Sequence, residues 1–514
     1  MAAKIIMLVV FFAVMLGVGF YSRSKAKNVN DYVLGGRSVG PWITAFAFGT
    51  SYFSSVVFVG YAGQFGWKYG ISSTWIGLGN AFIGSLLAWL ILGRRTRVMT
   101  QKLEARTMPE YFGKRYDSTA LRIAGAVIAF IFLIPYTASI YNGLSRLFGM
   151  AFSIQYEVCI IVMALLTAVY VIVGGYMATA LNDFIQGIIM LIGISAVIFA
   201  VLVQHGGFLN ALKELSNIPA DPSVTAEALK DSSGLFASFF GPDPVNLFGV
   251  VVLTSLGTWG LPQMVHKFYT IKDEKAVKTG TIVSTFFAIV VAGGCYFLGG
   301  FGRLFAYADI YKSDGSVAYD SIVPAMLETL PDLLIGIVVV LVLSASMSTL
   351  SSLVITSSST ITLDLLKETF MKKMTEKQQL IIMRVLVAVF VVLSVVMALK
   401  PPMFIAQLMG VSWGALAGAF LAPFMYGLYS KAITKASVWA SYIWGVGFTV
   451  ANMVCKFIPS PINAGAITMV GGLIIVPIVS ALTPKLNNVF INDIFSCYEK
   501  TVVVHRKHSL EDDD

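Results

Sequence analysis

The sequence predicts an all-α polytopic membrane protein, and three observations carry that reading. Hydrophobic residues make up 57% of the 514-residue chain and charged residues only 12%, with a mean hydropathy of +0.80. The apolar residues fall in separate runs of about twenty, the helix length that crosses a hydrocarbon core of roughly 30 Å. Two of these runs, five apart in order, are interrupted at their middles by small, hydroxylated or helix-breaking residues. Paired interruptions in corresponding places point to a transporter built from inverted five-helix repeats. A kinked packing helix is the plain alternative for either interruption taken alone.

About thirteen runs qualify as spanning helices. They centre on 4–22, 40–65, 72–93, 119–149, 154–175, 178–204, 244–264, 280–304, 332–362, 379–399, 403–428, 437–457 and 465–483. The first resembles a signal peptide but lacks a small-residue cleavage site, so it is expected to be a retained helix. The second carries FGTSYFSS at 48–55, and the seventh carries SLGTWGLP at 255–262. Backbone broken at membrane depth frees carbonyls that need neighbours, water, an ion or a solute. Residues 1–486 form a single transporter domain on this reading, with core repeats at about 40–204 and 244–428. The segment 205–243 is polar and holds Pro219, Pro222 and Pro242, with Pro244 just beyond. It is expected to be an external loop. Residues 487–514 are expected to be a mobile cytoplasmic tail.

The net charge of +9 comes from basic residues in short loops rather than from a surface for nucleic acid. Arg23, Lys25, Lys27 and Arg37 follow the first run. Arg94, Arg95, Arg97, Lys102, Arg106, Lys114 and Arg115 follow the third. Lys267, Lys272, Lys275 and Lys278 follow the seventh, and Lys367, Lys372, Lys373 and Lys377 the ninth. With thirteen spans all lie on one side, and the positive-inside rule makes that side the cytoplasm. The N-terminus is then outside, the C-terminus cytoplasmic, and the protein a multi-pass component of the plasma membrane. The four cysteines are scattered, and the four histidines sit in loops or the tail. No HExxH, Gly-x-Ser-x-Gly or Walker pattern occurs, which argues against an enzyme.

The stretch LSASMSTLSSLVITSSSTITLD at 343–364 is apolar in context yet rich in hydroxyls. Ser348, Ser351 and Ser352 share one helical face, with Thr349 beside them. Oxygen donors without softer ligands suit a hard cation. Small hydroxylated residues also let helices pack closely in a membrane, and this stretch alone leaves both readings open. Asp183, the most isolated charge near the apolar body, is by default a functional candidate. A helix-start cap is the alternative reading of it.

Three motifs together resemble the sodium:solute symporter family: NDYVLGGRSVGPW at 30–42, VGGYMATALNDFIQ at 173–186, and LSASMSTLSS at 343–352 running on to Asp364. The resemblance covers essentially the whole chain. It implies a LeuT-type core of ten helices, one extra helix before it and two after. It implies a sodium site made of the backbone carbonyls of Thr50, Phe53 and Ala345 with the hydroxyls of Ser348 and Thr349. Five neutral oxygens suit a monovalent ion that must leave again. Some members hold a second sodium, and the matching residues here are Asp183, Ser348, Ser351 and Ser352. A ratio of two sodium ions per solute follows as an expectation.

The resemblance also implies a solute site beside the broken helices. Its candidates are Ser54, Val56, Val57, Gln64, Tyr136, Asn142, Thr254, Thr258 and Trp259, with Gln407 and Trp413 closing it from outside. The proline symporters carry aromatics at the positions of Val56, Thr254 and Thr258, so this chain departs from them there. The loop at 272–280 is more similar to the pantothenate and monocarboxylate branches. The implied function is sodium-coupled import of a small organic solute, such as a carboxylate, vitamin or amino acid, by alternating access. The expected partners are Na+ as coupling ion, the solute and the lipid bilayer, with no cofactor. A proton-coupled transporter of the same fold using Asp183, or a transporter-like membrane sensor, are the rival readings.

Overall fold

Every regular element longer than an isolated bridge is helical among the described residues. The structure, a computed structural model, describes residues 2–22, 28–220, 232–306 and 310–499. The expected loop charges Arg23, Lys25 and Lys27, the loop residue Pro222 and the tail from 500 onward lie outside them.

The chain opens with α1 (Ala2–Ser22). The interrupted second run forms two half-helices, α2 (Pro41–Thr50) and α3 (56–69). A 3-10 turn, Gly70–Ser73, leads into α4 (74–102). Then come α5 (Thr119–Phe152) and α6 (Tyr156–Gln204), which kinks at Gly175. The seventh run also forms two halves, α7 (Pro244–Gly260) and α8 (Pro262–Tyr269). They are followed by α9 (Ala276–Gly299), α10 (Asp332–Phe370), α11 (Glu376–Leu399), α12 (Ile405–Tyr429), α13 (Lys435–Cys455) and α14 (Pro461–Leu482). A short α15 (Asn488–Phe495) follows the last span.

A count by length and composition alone divides the chain differently from the expected thirteen spans. Ten helices among the described residues are long and apolar enough to cross a membrane, or eleven if the bent α7–α8 pair is one span. The difference lies in two stretches. Residues 56–102 count as one stretch although Gly70 (φ 61°, ψ −143°) ends α3 and a 3-10 turn separates it from α4, and the limb Tyr156–Val169 is short for a span.

Local chemistry sets the two breaks. Pro41 starts α2 at a position where its missing N–H costs nothing. Regular helix stops after Thr50 and resumes at Ser55. In the second break Leu261 is extended (φ −79°, ψ 124°), as a residue before proline prefers, and the two halves bend by 46°. This break falls at 260–262, later than the middle of SLGTWGLP; Ser255 to Gly260 remain helical. Close approach elsewhere relies on glycine. A Cβ on Gly66 of α3 would lie 1.9 Å from the Gly299 carbonyl oxygen of α9, so only glycine permits this crossing. The hydroxyl-rich α10 and the central α12 are the most enclosed helices.

Phe236 and Phe239 of segment 205–243 pack at the ends of α3 and α4. Arg303 stacks between Trp67 (4.5 Å) and Phe236 (3.8 Å), and Trp75 donates its indole N–H to the Phe239 carbonyl at 2.9 Å. The expectation of a mobile tail is corrected for its first residues. α15 docks onto the basic end through a Lys102–Asp493 ion pair at 3.0 Å and Arg115 packed on Phe495.

Several basic residues read as loop charges are instead structural. Arg115 is buried and donates to the carbonyls of Gly427 and Ser430. Arg37 donates to the carbonyls of Thr100, Ala105 and Tyr269, tying the entry to α2 to its neighbours. Nearby, Arg122 meets Asp364 at 2.7 Å, Glu368 at 2.6 Å and Glu110 at 3.5 Å. Burial pushes the Glu110 carboxyl up, but Arg106, Arg122 and Lys114 outweigh it and hold it below the ordinary glutamate value of 4.5. A depressed carboxyl stabilises the fold above its unfolded pKa and loses that stabilisation as pH falls through its folded value. The expected outcome is that Glu110→Gln lowers thermal stability in detergent at pH 7, and that the gap from wild type closes on acidification below pH 4.5. A pH-independent gap in thermal unfolding would contradict this.

Candidate functional site

The first break is held open by side chains from α10. Thr349 Oγ1 lies 2.9 Å from the Phe53 carbonyl oxygen and 3.1 Å from that of Ala345. Ser348 Oγ lies 2.8 Å from Thr50 Oγ1. At this point Ser348 thus pairs with Thr50, and Thr349 with Phe53 and Ala345; all five expected residues are buried. One detail differs from the expectation: the threonine hydroxyl of Thr50, not its carbonyl, faces Ser348. The Thr50 carbonyl accepts the Phe53 N–H at 3.2 Å in a tightened turn.

Two contacts that sequence reasoning missed pin this break. The Ser55 N–H donates to Ser346 Oγ at 2.9 Å, and Ser55 Oγ donates to the Ile140 carbonyl at 2.7 Å. The first satisfies a backbone group that a broken helix would otherwise leave bare in an apolar surrounding, and the second ties the break to α5. Their signal was visible as a serine in the break and a serine two residues before Ser348.

Next to this point stands the expected second set. Asp183 and Ser351 are wholly buried, and Ser352 nearly so. Ser351 and Ser352 both donate to the Ser348 carbonyl, at 2.8 and 3.1 Å. Ser352 Oγ also meets Ser51 Oγ at 3.0 Å. Between Asp183 and Ser352 lies an unexpected group, the ammonium of Lys267. Its Nζ is 3.3 Å from Asp183 Oδ2 and 3.0 Å from Ser352 Oγ, and both charged side chains are about 1% exposed. Lys267, read from the sequence as a loop charge, is in the last turn of α8 and points into the protein. Its signal was being the only formally charged residue from 244 to 271.

The solute candidates divide. Tyr136 packs edge-on against Trp413 (5.8 Å, 82°), and Tyr52 lies 5.9 Å from the same indole. Tyr52 also donates to the Thr254 carbonyl at 3.0 Å. Trp413 Nε1 and the Tyr61 hydroxyl are buried without a hydrogen-bond partner among the described residues. Ser54, Val56 and Val57 are buried at the start of α3, beside this aromatic group in the chain. Gln64 lies further along α3, its Oε1 also without a partner among the described residues.

Others are drawn elsewhere. The Thr254 hydroxyl is used by its own helix, at the Val250 carbonyl. Thr258 and Trp259 donate to the Gly84 and Ile83 carbonyls, so they fasten α7 to α4. Asn142 is engaged by the Tyr156 hydroxyl, which also donates to the Ala398 carbonyl. Gln407 lines a separate cavity of about 300 Å³ with Val411, Thr449, Asn452 and Lys456.

Two broken helices, with hydroxyls of a third facing one break, define an ion-coupled membrane transporter of the LeuT fold. Its folded course matches the substrate-bound outward-open state of a Na+-coupled sialic acid symporter with a TM-score of 0.73, at 18% identity over 94% of this chain and 98% of that one. It also matches Mhp1, a nucleobase-cation-symport-1 family transporter, in a closed conformation, with a TM-score of 0.52 at 12% identity over 90% and 98%. The chain belongs to the sodium:solute symporter family, whose profile matches residues 32–445. It is thus a sodium-coupled solute symporter and not an enzyme. Among curated relatives, the osmoregulated proline transporter OpuE of Bacillus subtilis is 28% identical over 92% of this chain and 94% of its own. The sodium/proline symporter of Staphylococcus aureus is 28% identical over 86% and 84%.

The buried pair yields a stability expectation. Removing one partner of a buried ion pair costs about 3–5 kcal/mol, because the other charge stays buried alone. Asp183→Leu is expected to lower the detergent unfolding temperature markedly, and adding Lys267→Met to recover most of the loss. Thermal unfolding of the two variants checks this; additive losses would show that the two side chains do not act as a pair.

Proposed function

We propose that this symporter imports an amino-acid-sized zwitterion or small carboxylate, with sodium held by Thr50, Phe53, Ala345, Ser348 and Thr349. The observation that carries the ion site is the pair of contacts from Ser348 and Thr349 onto the two sides of the first break. Sodium there would join α10 to α2 and α3 and favour the state open to the sodium-rich side. Closure over the solute follows, then inward opening loosens the ligand set and both leave. The basic end faces the cytoplasm, the N-terminus lies outside, and the membrane is the plasma membrane, as the loop charges argue. The core repeats are residues 40–204 and 244–428.

Each inward elementary charge gains roughly 2.3 kcal/mol per 100 mV, enough for about a fifty-fold gradient of a neutral solute. That energy is coupled only if ion and solute sites share moving parts. Here they share the first break: Phe53 serves the ion, while its neighbour Tyr52 packs on Trp413.

The solute reading rests on the wall formed by Tyr52, Tyr136 and Trp413, with the indole N–H and the Tyr61 hydroxyl as free polar groups. Neutral donors around an apolar wall suit a compact solute with a carboxylate and a small apolar body. The relatives named for proline fall in this class, although Val56, Thr254 and Thr258 supply no aromatic ring.

Ser348→Ala with Thr349→Ala is expected to raise the sodium concentration for half-maximal uptake by about tenfold or more. Unchanged sodium dependence in proteoliposome uptake would remove this site. For the solute, a thermal-shift screen of proline, other amino acids, small carboxylates, sialic acid and pantothenate is expected to find a zwitterion or carboxylate that stabilises only with sodium present. Stabilisation confined to sialic acid or another large solute would sink the size assignment.

A further inference from the structure

Lys267 sits where a second cation would sit. An ammonium has three donors and no acceptor. One reaches Ser352 Oγ at 3.0 Å and one reaches Asp183 Oδ2 at 3.3 Å. The aromatic face of Tyr176 lies 5.1 Å from Nζ and covers another side. Two of the four residues that would bind a second sodium are therefore already bound to a positive charge. The remaining two hydroxyls give their protons to protein oxygens, and the second carboxylate oxygen of Asp183 has no hydrogen-bond partner among the described residues. Ser351 Oγ is turned onto the Ser348 carbonyl, and Ser348 Oγ onto Thr50.

Charge counting agrees with the geometry. Asp183 and Lys267 cancel, and both are buried. A sodium ion added here would leave one positive charge unbalanced in a medium that solvates it poorly. It would also stand next to the ammonium, and like charges at such range repel strongly where water is excluded.

The tether also has mechanical meaning. Lys267 rides on α8, the distal half of the second broken helix, while Asp183 belongs to α6 and Ser352 to α10. One side chain thus joins three helices, as sodium in the first set would join α10 to the first break.

We propose that Lys267 is a tethered cation that fills the second cation site, so that this transporter carries one sodium ion per cycle. The proposal rests on the reading that sodium binds at the Thr50–Phe53–Ala345–Ser348–Thr349 set. The lysine holds the Asp183 carboxylate through the cycle and is never released. Its removal converts the pocket into a sodium site with Asp183 as the anionic ligand.

Equilibrium binding of radioactive sodium to the purified full-length protein tests this. Wild type is expected to bind one sodium per chain, with affinity at least tenfold weaker in Thr349→Ala. Lys267→Ala is expected to bind two, falling back to one in Lys267→Ala with Asp183→Asn. Lys267→Gln, which keeps hydrogen bonding but not charge, serves if the alanine variant does not fold. Two sodium ions on wild type overturn the proposal and leave the first site standing. So does a folded, neutral Lys267 variant that still binds one. A single wild-type ion insensitive to Thr349→Ala but lost in Asp183→Asn also overturns it, because that ion would lie at Asp183. No sodium binding to wild type would instead overturn the first-site reading.

Discussion

The Thr349 contact to the Phe53 carbonyl closes a gap that no membrane helix can leave open. Breaking a helix inside a bilayer leaves polar backbone groups without water, at a cost of several kcal/mol each. In this chain the missing partners come from one neighbouring helix, α10. Ser346 accepts the Ser55 N–H, Thr349 meets the Phe53 carbonyl, and Ser348 meets Thr50. The hydroxyl-rich helix and the broken helix are therefore one device. Each makes sense of the other's composition, and packing and ion binding cease to be competing accounts. The hydroxyls that pack the break are the ones proposed to turn toward an ion.

Around this device the structure arranges two kinds of fastening. At the basic end, Arg37, Arg115 and the Arg122–Asp364–Glu110 cluster join short helices to the spans through charged contacts. Near the other end, glycine crossings such as Gly66 on Gly299, and the stacked Trp67–Arg303–Phe236 group, bring α3 tightly against its neighbours. The site lies between them, on helix halves that have free ends. Free ends let a segment tilt without unfolding, which alternating access requires.

The buried Lys267–Asp183 pair adds a fixed electrostatic element one helical turn from the first site. Buried ion pairs contribute little net stability when weighed against apolar residues of similar size. Their presence beside a cation site is better understood as setting which charges can enter. The aromatic group of Tyr52, Tyr136 and Trp413 adjoins the same break, and in the proposed cycle this adjacency couples solute to sodium.

Much of this was legible in the chain itself. The apolar runs, the two interruptions and the hydroxyl face at 348–352 depend on composition and on a 3.6-residue period, and these are local properties. The five first-set residues themselves are what the family resemblance implies, carried onto those local features. The division into spans follows local signals as well, since the backbone leaves the helix at Gly70 and at Gly175, close to where the apolar runs are parted. The fate of individual polar side chains was not legible. Lys267 reads as a loop charge, Asn142 and Thr258 as pocket residues, and the segment after 487 as a tail, because a residue's letter says nothing of which neighbour it will face. Long-range packing placed Lys267 beside Asp183, 84 positions earlier, and turned Thr258 toward Gly84. Helix periodicity assigns a side chain to a face; the crossing of helices distant in the chain assigns that face its partner, and with it the charge and hydrogen bonding that make a site.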